Sequence, residues 1–238
     1  MDTRSHKAII GGPGAGKTLV LLHRLNLLFH RAGKNHDAVR LFVYTNTLKQ
    51  FIQAGNDMLD VPDACISTFD KWCADTYRTQ VNPRLPTKDK KPDFEAIRSG
   101  IFGVIESGKL PTPLFDSVLI DEAQDMDIGA IEILKRLARH ITICMDGKQQ
   151  LYDDRMSEPE ALSRLGLSRH NTALLAAFRC NPMVTELAAQ FIADDARRQE
   201  FMRQASNLEM DRSRPLFYVA DNFFDEAAHL IEMVKLRL

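Results

Sequence analysis

Eight consecutive residues, Gly11-Gly12-Pro13-Gly14-Ala15-Gly16-Lys17-Thr18, satisfy the spacing G-x-x-x-x-G-K-[ST], which suits the cradling of phosphate oxygens. Backbone N–H groups pointing inward at a helix N-terminus bind such oxygens, and the helix dipole favours the negative charge. Side chains would block that approach, so the loop is glycine-rich. The stretch Gly12, Pro13, Gly14, Ala15, Gly16, Lys17, Thr18 and Leu19 is the candidate cofactor-binding segment. Lys17 would reach the β- and γ-phosphates of a nucleoside triphosphate, and the Thr18 hydroxyl would ligate Mg²⁺. The alternative is an ordinary glycine turn between a strand and a helix.

A second acidic constellation lies about a hundred residues on, in Phe115-Asp116-Ser117-Val118-Leu119-Ile120-Asp121-Glu122-Ala123-Gln124-Asp125. It reads as a buried strand ending in carboxylates. Asp121 at the strand tip would hold Mg²⁺, and Glu122 would orient and polarise an attacking water. The alternative is a solvated acidic turn capping the next helix.

These groups need a scaffold that brings them together. Lys7–Ile10, Arg40–Tyr44, Cys65–Phe69, Ser117–Ile120 and Ile141–Met145 are short apolar runs that read as buried strands. Helices are expected over Leu19–His30, closed by Gly33, then over Leu48–Met58, from Asp70 onward and over Ile128–His140. Apolar strands alternating with helices imply an α/β fold with a parallel sheet covered on both faces. The strand-to-helix loops then share one edge, where the glycine loop meets the acids. Residues Thr79–Asp93 hold three prolines and the bases Arg84, Lys88, Lys90 and Lys91, and read as a loop or small insertion, a candidate mobile segment. The pattern resets near Ser157, where Ser157-Glu158-Pro159-Glu160 forms a capping box. A strand over Thr172–Ala177, a helix from Asn181-Pro182 to Ile192, a strand over Leu216–Ala220 and a helix from Phe223 follow. Residues 1–155 are therefore read as a first domain and 156–238 as the incomplete start of a second.

Composition bounds the function. The chain has 238 residues, 45% hydrophobic and 26% charged, with net charge −1, so any nucleic-acid contact must come from a local patch. Cys65, Cys73, Cys144 and Cys180 are dispersed, as expected of reduced thiols in a cytoplasmic protein. No apolar run reaches membrane-spanning length, so no membrane partner is expected.

The two motifs together resemble the UvrD/Rep-like helicases of superfamily 1, and further segments agree in order. Gly16-Lys17-Thr18-Leu19-Val20-Leu21-Leu22-His23-Arg24 resembles the first motif and its helix, and Ser67-Thr68-Phe69-Asp70-Lys71-Trp72-Cys73 resembles the T-F-H-S-L-C stretch. Asp146-Gly147-Lys148-Gln149-Gln150-Leu151-Tyr152 resembles the third motif, and Ala177-Phe178-Arg179-Cys180 the fourth. The resemblance implies two RecA-like domains, the second incomplete, with ATP and Mg²⁺ as cofactors and ATP hydrolysis as the reaction. It implies that Gln149 senses the γ-phosphate, that Arg179 is an arginine finger, and that Phe178 stacks on adenine. It places Thr45, Asn46, Thr68, Phe69 and Tyr152 at single-stranded DNA, with RNA the open alternative. Phe69 and Phe178 are equally readable as core aromatics, Arg179 as a surface ion pair, and Trp72 as packed.

Departures from the pattern matter as well. No adenine-reading segment precedes Gly11, Tyr44 replaces a small polar residue, and Asp154 stands where a second stacking aromatic is usual. The insertion after Trp72 is far shorter than the family's accessory domain, and nothing after Arg179 resembles the late motifs. This stretch of chain is therefore expected to bind ATP and to unwind little. The competing reading is a nucleotide-binding regulatory module whose ATP-ordered surface serves a protein partner such as a nuclease.

Overall fold

The computed structural model describes residues 5–12, 14–44, 49, 61–146, 157–167, 173–174, 182–205 and 218–235. It divides into two compact units, Met1–Arg179 and Cys180–Leu238.

The first unit is built on a six-stranded sheet. Its strands are β1 (Lys7–Gly11), β2 (Val39–Val43), β3 (Ile66–Thr68), β6 (Phe115–Ile120), β7 (Ala138–Met145) and β8 (Ala173–Leu174), in the order β3-β2-β6-β7-β1-β8. Every pairing is parallel. The helices of this unit are α1 (Lys17–Arg31), α2 (Phe69–Gln80), α3 (Phe94–Glu106), α4 (Ile128–Leu137) and α5 (Glu158–Arg164). An antiparallel hairpin of β4 (Thr87–Lys88) and β5 (Lys91–Pro92) stands apart from the sheet.

The near-continuous apolar strands are explained by burial on both faces. With side chains alternating along a strand, Ile9, Leu41, Leu119 and Cys144 pack with Leu21, Leu25, Leu28 and Phe29 of α1. Ala8, Ile10, Phe42, Val118, Ile120, Ile141 and Ile143 turn the other way, toward the buried side chains of α2, α3, α4 and α5. The α1 side chains at positions 21, 25, 28 and 29 form one stripe at helical spacing. Helix α1 ends where Gly33 takes φ 67° and the Lys34 N–H returns to the Phe29 carbonyl at 2.9 Å, as a left-handed C-terminal turn requires. Four helices of this unit are capped by side chains at their N-termini: Thr68 on α2, Asp93 on α3, Asp127 on α4 and Ser157 on α5.

Several sequence-based expectations are corrected. Strand β7 begins at Ala138 rather than Ile141, because Ala138 and His140 already pair with Phe115 and Ser117. Helix α4 accordingly stops at Leu137. The segment read as a loop or small insertion over Thr79–Asp93 ends α2 and then forms the small β4–β5 hairpin. Helix α3 was not anticipated, although Ile97, Ile101, Val104 and Ile105 form its buried stripe. The first unit also extends past residue 155. Ala161, Leu162 and Leu165 of the α5 region join its core, and β8 pairs with β1 through Ile10↔Ala173 and Gly11↔Leu174.

In the second unit the described residues form α6 (Pro182–Ala189), α7 (Asp195–Ala205) and α8 (Phe223–Lys235). Helix α7 was not anticipated, and Tyr218–Ala220, read as part of a strand, lies outside regular structure. Among the described residues no helix is long and apolar enough to cross a membrane.

Candidate functional site

Because the sheet is parallel, the loops after β1, β6 and β7 open at its C-terminal edge, and β7 lies between the other two strands. The loop after β1 turns through Gly14 (φ 74°) and Gly16 (φ 80°). A side chain at position 16 would have space around it, so glycine is favoured there by the left-handed backbone alone. Gly16 is the N-cap of α1, no side chain caps that end, and no acidic residue occupies its first turn. Among the described residues, the first-turn N–H groups at the positive end of the helix dipole thus have no capping side chain, which is the arrangement that receives an external anion. Leu19 is 58% exposed, so its part in such a site is limited to its main chain. Pro13 lies outside the described residues.

Lys17 is only 7% exposed. Its ammonium donates to the carbonyls of Gly11 at 3.0 Å and Gly12 at 3.1 Å, and Asp146 Oδ2 lies 3.6 Å away. The charge thus sits inside the loop and is balanced by a carboxylate from the tip of β7. The Thr18 hydroxyl donates to Asp121 Oδ2 at 3.0 Å, joining the glycine loop to the acidic strand tip. Asp121 is 1% exposed. Burial pushes its carboxyl above the usual range and the Glu122 charge pushes the same way; the Thr18 hydrogen bond, the Glu122 N–H and Lys17 oppose them.

Glu122 follows in a left-handed conformation, φ 51° and ψ 49°, which costs about 1 kcal/mol or more for a residue with a Cβ. Its N–H donates to Asp121 Oδ1 at 3.1 Å. Its carboxylate is held by Gln124, whose Nε2 donates to Glu122 Oε2 at 2.6 Å. Gln124 is buried, and its Oε1 accepts from the Asp146 N–H at 3.1 Å. A backbone N–H can only be met by the amide oxygen, so the amide nitrogen must face Glu122. One side chain thus couples the acid on β6 to the tip of β7. Sequence reasoning quoted Gln124 and Asp146 within motifs but assigned neither a role, because their function lies in the meeting of two loops.

The donor set fits a small hard cation shared with phosphate. Thr18 Oγ1 and Asp121 Oδ2 lie together, and the desolvated carboxylate beside a second acid gains from a neighbouring positive charge. Among the described residues no three His, Cys, Asp or Glu converge as a self-sufficient metal cage. Mg²⁺ is commonly held this way, by one or two protein oxygens with phosphate and water completing its shell.

Two other expected site residues, Phe69 and Thr68, lie beside this edge but are largely enclosed. Phe69, a candidate for base stacking, is 5% exposed. Its ring stacks on Trp72 at 6.1 Å with an interplanar angle of 12°, and it meets Phe42 edge-on at 5.3 Å. This is the packing of a core aromatic, and the residue also lines the cleft at this edge beside Tyr44 and Asp70. Thr68 is also buried, and its hydroxyl accepts from the Lys71 N–H at 3.2 Å as the cap of α2. Gln149, Arg179, Phe178, Thr45, Asn46 and Tyr152 lie outside the described residues.

A cleft of about 210 Å³ opens at this edge beside Tyr44, Asp70, Phe94, Arg98, Asp125 and Asp127. Arg98 spans it, pairing with Asp70 at 3.2 Å and with Asp127 at 2.8 Å. This ties α3 to the starts of α2 and α4.

Residues 3–153, more than half of the chain, match the family model described as AAA domain. No curated protein matches the chain.

Proposed function

The chain belongs to the AAA domain family, a P-loop NTPase-type domain, and from that premise we propose that it is the ATP-hydrolysing motor core of a UvrD/Rep-like helicase or translocase acting on single-stranded DNA. The observation that carries the proposal is the contact between Thr18 and Asp121, 103 residues apart in the chain, with Lys17 and Glu122 on either side.

The residues divide the work. The main chain of the glycine loop and the first turn of α1 bind the triphosphate, and Lys17 exchanges its carbonyl partners for phosphate oxygens. Mg²⁺ at Thr18 and Asp121 would supply charge neutralisation for the phosphates. Glu122, oriented by Gln124, aligns the attacking water and takes up its proton. Because Gln124 also binds the main chain at Asp146, a change at the β7 tip on loss of the γ-phosphate would be felt at Glu122. Residues around Gln149 follow that tip directly, which supports the sensor role given to Gln149. Arg179 would complete the charge neutralisation, and Phe178 would stack on the base. Tyr44, 45% exposed at the same edge, precedes Thr45 and Asn46 and supports a strand-binding role for that loop.

The test is ATP turnover with and without single-stranded DNA. Stimulation by the strand is the expected result. Turnover indifferent to any nucleic acid would favour an ATP-dependent regulatory module with a protein partner.

A further inference from the structure

The hairpin between α2 and α3 is unusually charged for a chain of net charge −1. Between residues 84 and 91 it carries Arg84, Lys88, Lys90 and Lys91 against the single acid Asp89. All four cations are exposed, and among the described residues none of their side chains forms an ion pair. Lys88 and Lys91 are direct partners across the β4–β5 ladder, and like charges directly opposite each other are destabilising. At the tip, Asp89 (φ 52°) and Lys90 (φ 64°) both adopt the left-handed conformation. A two-residue hairpin turn of that geometry favours Asn-Gly or Asp-Gly; here the glycine position holds a lysine.

The arm is nevertheless built firmly. The Asp93 N–H donates to the Pro86 carbonyl at 2.9 Å, the Asp93 side chain caps α3, and Leu85 and Phe94 pack on the core at its base. Phe94, directly after the hairpin, also lines the cleft that holds Tyr44 and Asp125. The charges are thus presented from a fixed support next to the functional edge, at a cost to local stability that a bound polyanion would relieve.

We propose that this hairpin binds the phosphate backbone of a nucleic acid, with Arg84, Lys88, Lys90 and Lys91 as the contacting groups. Between Pro86 and Pro92 the only apolar side chains are the two proline rings. The surface therefore lacks the aromatic or aliphatic anchor of a protein hot spot and the wedge that would enter a bilayer. Its attraction is electrostatic, which is how phosphate backbones are held. The inference rests on the nucleic-acid part of the proposed function.

The experiment measures binding of a labelled single-stranded 30-mer and of the matching duplex by fluorescence anisotropy, from about 50 to about 200 mM salt. The full chain is compared with K88Q/K90Q/K91Q and with K90G. Loss of three phosphate contacts should make the log–log salt slope shallower by about 2 for the single strand or about 3 for the duplex. Whichever oligonucleotide shows the change identifies the form bound. K90G relaxes the turn while removing a charge, so it should melt no lower than the parent chain and still bind more weakly. If the parent chain binds neither oligonucleotide, the nucleic-acid reading itself is wrong. Binding by the parent with unchanged affinity and slope in the triple variant would overturn the hairpin inference alone. Loss of binding to anionic vesicles or to a polyglutamate peptide, with oligonucleotide binding intact, would overturn the assigned partner class.

Discussion

The hydroxyl of Thr18 donates to the carboxylate of Asp121 at 3.0 Å, and this contact fixes the glycine loop against the acidic tip of β6. Both atoms belong to the candidate cation site, so the pair serves folding and ligation together. Thr18→Ala should abolish the Mg²⁺ dependence of nucleotide binding. It should also cost about 1–2 kcal/mol of stability, since a buried carboxylate loses a hydrogen-bond donor. Thr18→Ser should restore both. Nucleotide titration with and without Mg²⁺, beside thermal unfolding, reads the two effects separately.

Gln124 links Glu122 to the main chain at Asp146. Removing it should release the Glu122 carboxylate while leaving the phosphate loop in place. Gln124→Ala is expected to lower kcat by about 10–100-fold, within the range a general base contributes, with nucleotide affinity nearly unchanged. Steady-state turnover paired with equilibrium binding checks this. Equal losses in both would assign Gln124 a merely structural part.

Phe69 belongs to the aromatic core with Phe42, Trp72 and Phe115. Phe69→Ala should cost about 3–5 kcal/mol of stability. Phe69→Leu should cost far less and leave oligonucleotide affinity unaltered. A large loss of affinity in a folded Phe69→Leu protein, measured by anisotropy, would return this residue to the binding surface.

His6 accepts the Ile141 N–H through Nδ1 at 2.9 Å, at the start of β1. A protonated ring cannot accept that bond. Burial holds its pKa below the ordinary 6.5, with His140 and Lys135 acting in the same direction. The unfolded chain therefore takes up the proton first as pH falls. The stabilisation is complete above about pH 6.5 and is lost as pH falls through that value toward the folded pKa. Melting temperature should decline over that window, and His6→Asn, which keeps an acceptor oxygen and does not titrate, should flatten the decline.

The parts of the site most legible in the sequence are those whose chemistry demands fixed spacing. Gly11 to Thr18 and Asp121-Glu122 could be read directly because phosphate and metal chemistry tolerates few residue types there. The sheet was legible for a different reason: strands buried on both faces become short apolar runs, as Lys7–Ile10 and Ser117–Ile120 show. Phe69 was ambiguous because a core aromatic and a stacking aromatic are spelled alike. Helix α3 was hidden by Gly100 and Gly103 within the helix and by the proline- and lysine-rich approach to it. The unit boundary near residue 155 was misplaced because the pattern change at Ser157 marks a new helix, while the partners of Ala161, Leu162 and Ala173 lie far back in the chain. Gln124 and Asp146 acquire their roles only when β6 and β7 are set side by side.

The most direct test of the central claim is single-turnover ATP hydrolysis by Glu122→Gln beside equilibrium binding of Mg·ATP to the same protein. Glutamine preserves the size of the side chain and its contact with Gln124 but cannot accept the proton of an attacking water. The account predicts nucleotide affinity within about threefold of the parent chain and hydrolysis slowed by at least ~100-fold, the lower bound for loss of a general base. Hydrolysis at the parent rate, or loss of binding with the fold intact, would contradict it.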